Sequence, residues 1–206
     1  MLIRAEALLC ATRAHGEHGA IVRVLTADHG LVAGYVAGAR GRTLRPVLIP
    51  GNSLAIELRA RGGSQLPAMR TELVTSRAPW LAEPLPAAAI GWVTALTAAA
   101  LPEGQPSPAL HLALGATLDA VCHAPSARGW VRAVLGYEAL MLREAGHGAM
   151  PQPGTDEDWA TVMARLTRHE GALSACLLAD LGRRHNDVMA ARTILVERLR
   201  RIDQAD

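Results

Sequence analysis

The sequence lacks lysine and phenylalanine, and aromatic residues make up only 3% of its 206 residues. All 21 basic side chains are therefore arginines. Cysteine is also scarce, because Cys10, Cys122 and Cys176 are isolated from one another. Such spacing excludes a disulfide framework and any Cys-x-x-Cys zinc site, and it is typical of a reducing compartment. We therefore expect a cytoplasmic protein without a structural metal.

Long apolar segments are scarce as well. The first residues lack the extended apolar core of a signal peptide. The one long uncharged run, residues 85–101, is rich in alanine and bounded by prolines. It is slightly short and only weakly apolar for a membrane span of ~20 residues. We predict a buried helix there rather than a membrane-spanning segment.

Charge is unevenly distributed along the chain. Ten arginines but only five acidic residues precede Pro79, whereas eleven arginines and fourteen acidic residues follow it. The net charge of +2 therefore combines a basic first part with an acidic remainder. A basic module without recognisable catalytic groups most often binds a polyanion.

The first part reads as short β-strands separated by glycine turns. Alternating apolar and polar residues predict strands at 2–12, 20–26, 31–37, 53–61 and 71–77. Five such strands in about 75 residues match the size of a small closed barrel. We predict an α+β protein with a β-barrel domain at residues 1–79.

The second part changes to helical periodicity. Helices are predicted at 85–101, 108–123, 127–145, 157–169 and 187–202, with a shorter one at 173–181. Ser107, Ser126, Thr155 and Asn186 are the predicted N-terminal caps. We therefore predict an all-helical domain at residues 80–206.

No pattern indicates catalysis or a metal site. His15-Gly-Glu-His18 has the wrong spacing for a zinc-binding helix, so solvated turn residues are the favoured interpretation. The acidic cluster 156–158 is better explained by the dipole of the helix that it precedes. We predict no catalytic residues, no cofactor and a protein that is not an enzyme.

Arginines are the candidate binding groups. A guanidinium group offers forked donors suited to phosphate oxygens, although the same side chains could merely keep the surface soluble. The glycine-rich segment 38–42 lacks the lysine of a nucleotide-binding loop, so contact with backbone phosphates and simple solvent exposure both remain possible. Because Tyr35 is the only aromatic residue of the strands, we expect base stacking to be minor. The predicted DNA-binding residues are Arg23, Arg40, Arg42, Arg45, Arg59, Arg61 and Arg77.

An ordered series of short motifs resembles the RecO family of bacterial recombination mediators. The series in the first part comprises Gly16-Glu17, Ala20-Ile21-Val22, the segment 24–30, Gly34-x-Val36 through Arg40, the segment 48–52, Arg59-Ala-Arg61, Gln65-Leu66 and Glu72-Leu73. The helical part is matched more loosely by Trp130-Val-Arg132, Tyr137-Glu138, Gly146-His-Gly148, Ala190-Ala-Arg192 and Arg198-Leu199. The resemblance covers most of the chain.

This resemblance implies an N-terminal OB-fold barrel followed by a helical domain. It also implies a recombination mediator in DNA repair, associated with the nucleoid, that binds and anneals single- and double-stranded DNA. With its partner RecR, such a protein helps RecA displace single-strand binding protein. The family's helical domain receives the acidic-apolar tail of that binding protein. We place this contact near Arg128, Trp130 and Arg132, which fall in the matching helix.

The sequence departs from the family in one segment. Many relatives carry a longer, cysteine-containing insert that can hold zinc, whereas residues 149–154 are short and contain no cysteine. We therefore predict no structural metal.

The alternative function is a protein-docking adaptor, in which the helical domain captures an acidic-apolar tail and the barrel serves only as a scaffold.

Overall fold

A computed structural model describes residues 2–60, 66–148, 150–151, 154 and 157–202. The chain divides into two compact units. One contains Met1–Ala82 and Leu101–Leu112, and the other contains Glu83–Ala100 and Ala113–Asp206. The first is built from strands and the second from helices, which confirms the predicted α+β class.

Five strands form the first unit. Their bounds are Leu2–His15 (β1), Gly19–Thr26 (β2), Gly30–Val36 (β3), Ser53–Arg59 (β4) and Ala68–Thr75 (β5). The hydrogen-bonded order is β1-β2-β3-β5-β4, and β4 also pairs with β1, so the sheet closes on itself as a barrel. Neighbouring pairs are antiparallel except β3 and β5, which are parallel.

The barrel interior follows the alternation that the sequence predicts. One set of side chains on each strand points inward and is almost fully buried. Its largest members include Leu9, Val22, Val24, Leu54, Ile56, Leu58 and Met69. Residues of the β3–β4 connection, such as Ala39 and Leu48, complete this core.

Two strands have an end that lies three residues from its predicted position, and β4 ends two residues early, at Arg59. β1 continues three residues beyond the predicted end, because it forms a long hairpin with β2 whose last pair is His15 and Gly19. β5 begins at Ala68 rather than residue 71, since Tyr35 N donates to Pro67 O at 2.8 Å and Ala68 pairs with Arg59. Arg61 and the loop 62–64 lie outside the described residues.

Five α-helices follow the strands. They span Pro84–Ala100 (α1), Pro108–His123 (α2), Ala127–Glu144 (α3), Trp159–Ala172 (α4) and Arg183–Ile202 (α5). A π-helical turn at Leu173–Leu177 and a 3-10 turn at Ala179–Leu181 precede α5. Within the described part of the chain, none of the helices combines the length and apolarity needed to cross a bilayer.

The predicted helix starts are partly wrong. Asp158 rather than Thr155 caps α4, because its Oδ1 accepts the Thr161 N–H at 2.8 Å. Thr155 itself lies outside the described residues. α5 begins at Arg183, four residues before the prediction, so Asn186 lies inside the helix rather than at its cap. Ser126 occupies the N-cap position of α3 without a side-chain hydrogen bond.

Candidate nucleic-acid interface

Three predicted arginines lie on the connection between β3 and β4. This segment is folded into hydrogen-bonded turns: Gly41 N donates to Gly38 O at 2.9 Å, and Arg45 N donates to Gly41 O at 3.0 Å. Gly38 adopts a φ of +66°, a left-handed conformation that favours glycine. Because Ala39 and Leu48 are buried in the barrel core, the connection is anchored and its arginines, Arg40, Arg42 and Arg45, are exposed.

Arg40 and Arg45 line the same open depression, of about 350 Å³, at the end of the barrel. Its lining is completed by Thr12, Ala14 and Ala20 of the extended β1–β2 hairpin and by Ala39 and Leu48 of the connection. Arg40 is fixed to the turn of this hairpin, since its guanidinium donates to Glu17 O at 3.1 Å. The structure thus places Arg40 and Arg45 beside the β1–β2 hairpin.

These arginines remain available to an anion. Among the described residues, no carboxylate forms an ion pair with Arg40, Arg42 or Arg45. Glu17, the acidic residue of the hairpin turn, has its carboxylate 3.8 Å from His18 instead. Exposed guanidinium groups without carboxylate partners attract phosphate oxygens at little desolvation cost.

Two other predicted DNA-binding residues, Arg23 and Arg77, are much less exposed. Arg23 forms an ion pair with Glu103 at 3.1 Å, and its side chain is only 25% exposed. Arg77 is almost fully buried, and its guanidinium donates to Gly51 O at 2.6 Å and Ser53 Oγ at 3.2 Å. Arg77 therefore joins two segments of the barrel unit rather than facing solvent.

Arg59 belongs to a second basic group, on the outer face of β1, β4 and β5. It donates to Glu57 at 2.6 Å, and Arg4 donates to the same carboxylate at 2.9 Å. The hydrogen bond from Arg59, followed by that from Arg4, lowers the pKa of Glu57. Arg70 lies directly opposite Glu57 on β5, so three arginines surround one carboxylate. Arg61, the remaining predicted residue, lies outside the described residues.

Arg4, Arg13 and Arg70 were not among the predicted binding residues. Their outward orientation follows from the two-residue period of a strand. Their neighbours, however, depend on cross-strand register, which no local pattern encodes. Arg13, for example, lies opposite Ile21 on β2, and Ile21 lies opposite Tyr35 on β3.

The predicted tail-binding residues do not form one exposed group. Trp130 is only 2% exposed and belongs to the core of the helical unit. The guanidinium of Arg132 donates to three carbonyl groups, those of Gly154, Arg128 and Glu157. Arg128 is exposed, and its guanidinium lies 5.0 Å from the centre of the Trp159 ring. Of the three predicted residues, Arg128 alone is exposed.

Within the described ranges, no cluster of three or more histidine, cysteine or acidic side chains could hold a metal ion. His18 is exposed in the turn after β1, as predicted, whereas His15 is exposed but is the last residue of β1 rather than a turn residue. In the acidic cluster, Glu157 receives two hydrogen bonds from Arg165, at 2.8 and 2.5 Å. Asp158 caps α4, and Asp156 lies outside the described residues.

Comparisons with known proteins match both parts of the chain. Residues 1–77 match the family model described as Recombination protein O N terminal, and residues 84–149 match Recombination protein O C terminal. A "DNA repair protein RecO" from Phenylobacterium zucineum is 38% identical over 69% of this chain and 58% of its own length. That from Rhodospirillum centenum is 40% identical over 69% of this chain and 56% of its own length. That from Cereibacter sphaeroides (strain ATCC 17025) is 34% identical over 86% of this chain and 75% of its own length.

Proposed function

Because this chain belongs to the RecO family of DNA repair proteins, we propose that it is a non-enzymatic DNA-binding recombination mediator. The matched stretches span less than two thirds of the length of the first two relatives, so the activity and partners of this chain are proposals. We place this activity in the cytoplasm, at the nucleoid.

We assign the barrel to the OB-fold. The closed order β1-β2-β3-β5-β4, with β3 parallel to β5, supports this assignment. OB-folds are five-stranded barrels that bind oligonucleotides on the β2–β3 face and with the loops that follow β1 and β4. In this chain the loop after β1 is the hairpin turn that contacts Arg40.

The observation that carries the proposal is the arginine group at this hairpin. Arg40 and Arg45 line one depression, and Arg42 is exposed on the same anchored connection. We define Arg40, Arg42 and Arg45 as the loop arginines. They neutralise phosphates of a DNA strand there, which reduces the repulsion between two strands during annealing.

Partners complete the proposed mechanism. With RecR, the protein assists the loading of RecA onto single-stranded DNA that single-strand binding protein covers. The helical unit receives the tail of that binding protein near Arg128, which is exposed beside Trp159. An acidic residue of the tail would pair with this guanidinium.

Charge reversal of Arg40 and Arg42 tests the loop assignment. We expect R40E/R42E to weaken binding of a single-stranded oligonucleotide by at least about tenfold at low salt, because two phosphate contacts become repulsive. Both positions are exposed, so the unfolding transition should be unchanged. Fluorescence anisotropy titrations measure the affinity, and circular dichroism checks the fold.

A control of equal charge makes the result specific. R168E/R201E removes the same net charge from exposed positions of the helical unit. It should weaken binding by less than about threefold if DNA lies at the loop arginines. Equal losses in the two double variants, or unchanged affinity in R40E/R42E, would overturn the loop assignment.

A further inference from the structure

A second depression, of about 620 Å³, is lined by residues at the end of β1 and by residues of β3 and β5. Its lining includes His15, Tyr35, Leu66, Met69 and Arg70, which define the Tyr35 groove. Its volume lies within the ~300–1,000 Å³ typical of small-molecule sites. We propose that the Tyr35 groove holds an unpaired base of single-stranded DNA, an inference that rests on the proposed function.

The tyrosine ring is held in place by the strand beside it. A side-chain carbon at Gly19 would lie 2.3–2.5 Å from the hydroxyl oxygen and two ring carbons of Tyr35, so this side chain covers the backbone of β2 at that glycine. The backbone of Tyr35 is fixed too, by its hydrogen bond to Pro67 O at 2.8 Å. A partly exposed ring held on rigid strands loses little conformational freedom when a base stacks on it.

The imidazole of His15 adds a second aromatic ring beside Tyr35. The imidazole of His15 meets the Tyr35 ring edge to face, with centroids 5.9 Å apart and planes at 78°. In this proposal two rings contribute to stacking, whereas the composition led us to expect that base stacking is minor. His15 is exposed, so its ring adds a second aromatic surface against which a base can lie.

The remaining walls suit a base joined to a phosphate. Leu66 is 40% exposed although it is apolar, and the buried Met69 also lines the groove. Arg70 supplies positive charge at the rim. Within the part of the chain that the structure describes, no carboxylate pairs with Arg70, and Glu57 opposite it is already engaged by Arg4 and Arg59. An apolar platform beside an available guanidinium matches one nucleotide.

These features favour single-stranded DNA over a duplex. Bases in a duplex are stacked and paired, so their faces are hidden, whereas every base of a single strand has a free face. The loop arginines contact the backbone without distinguishing the two forms. The Tyr35 groove therefore gives the barrel its preference for unpaired strands.

The test compares two strands of equal charge. We expect the protein to bind an oligothymidylate of about 20 nucleotides roughly 5- to 100-fold more tightly than an abasic strand of equal length, as one or more stacked bases would provide. Y35L should reduce this ratio to near one, whereas Y35F, which keeps the ring, should preserve it. H15A should lower it in part, and serves as the second variant if Y35L does not fold. R40E/R42E should lower both affinities together.

Other outcomes would overturn either the base site in the Tyr35 groove or the proposed function. Equal affinity of the parent protein for the two strands, or an unchanged ratio in Y35L, would overturn the base site while leaving the proposed function intact. Failure to bind either strand would overturn the proposed function itself. An acidic-apolar peptide that binds the parent but not Y35L, with an unchanged strand ratio, would assign the groove to a protein partner instead.

Discussion

At the scale of single residues, similar arginines have different roles because their surroundings differ. Arg42 is exposed, whereas Arg77 is enclosed by the barrel and binds Gly51 O. Asn52 shows the same principle, since its buried amide donates to Pro46 O and Val47 O and its Oδ1 accepts the Arg77 N–H. These buried polar groups satisfy backbone atoms that would otherwise lack partners.

We predict that R77A destabilises the protein by about 1–3 kcal/mol, because it leaves buried hydrogen-bond acceptors unsatisfied. Its affinity for DNA, measured at a temperature where it remains folded, should change less than about twofold. Urea denaturation and anisotropy titrations provide the two measurements. R42A serves as the contrast, with unchanged stability and weaker binding. If R77A is stable but binds DNA much more weakly, Arg77 contacts DNA and its assignment as a purely structural residue is wrong.

At the scale of elements, one buried carboxylate joins four helices. Glu138 on α3 accepts hydrogen bonds from Trp92 of α1 at 2.8 Å and from Arg192 of α5 at 2.9 Å. His169 of α4 lies 2.9 Å from its other oxygen. Burial raises the pKa of Glu138, but the charge of Arg192 and the hydrogen bonds from His169 and Arg192 outweigh it, so the net pKa is lowered.

We predict that E138Q destabilises the helical unit by about 3–5 kcal/mol at pH 7, because it removes the buried counter-charge of Arg192 and leaves this guanidinium with the half-exposed Glu170 at 3.6 Å. The lowered pKa means that the unfolded chain binds more protons than the folded one near its ordinary value of ~4.3. The stabilisation is therefore present above that pH and is lost as the pH falls through the folded-state value. Urea unfolding at pH 7 and in steps below pH 5 measures the difference.

The matched control is E144Q, since the Glu144 side chain is 40% exposed and pairs with Arg143 at the surface. It should change stability by less than about 0.5 kcal/mol. A parent–E138Q difference that grows as the pH falls would contradict the assigned direction.

At the scale of the whole molecule, the charge asymmetry of the chain is partly neutralised by folding. Arg23 pairs with Glu103, which follows α1 in the sequence but belongs to the barrel unit. Arg77 is buried, and Arg4 and Arg59 share one carboxylate. The folded barrel therefore presents fewer available guanidinium groups than the ten arginines before Pro79 suggest.

We predict a moderate salt dependence of single-strand binding. Three to five phosphate contacts give a slope of log K against log salt of about −2 to −3.5, whereas the seven predicted arginines would give about −5. Titrations of an oligothymidylate between about 50 and 200 mM salt measure the slope. A slope near zero would contradict electrostatic binding, and one near −5 would require arginines beyond the loop group and the rim of the Tyr35 groove.

Local patterns in the sequence determined much of this protein. Period-two alternation predicted β2, β3 and the start of β4, and helical periodicity predicted α1, α2 and α3 to within one or two residues. The basic glycine-rich segment that supplies the loop arginines was also identified. These features depend on residues close in sequence, so strand period, turn glycines and helix periodicity are sufficient to recognise them.

Only the tertiary structure decided which charged groups are available. Arg77 and Glu138 look like surface residues in the sequence, yet both are buried because partners 24 to 54 residues away satisfy them. The meeting of His15, Tyr35 and Arg70 depends on the pairing of β1 with β2 and of β3 with β5. Register and burial are set by the whole core at once, so a charge pattern read along the chain cannot distinguish an arginine that binds a ligand from one that supports the fold.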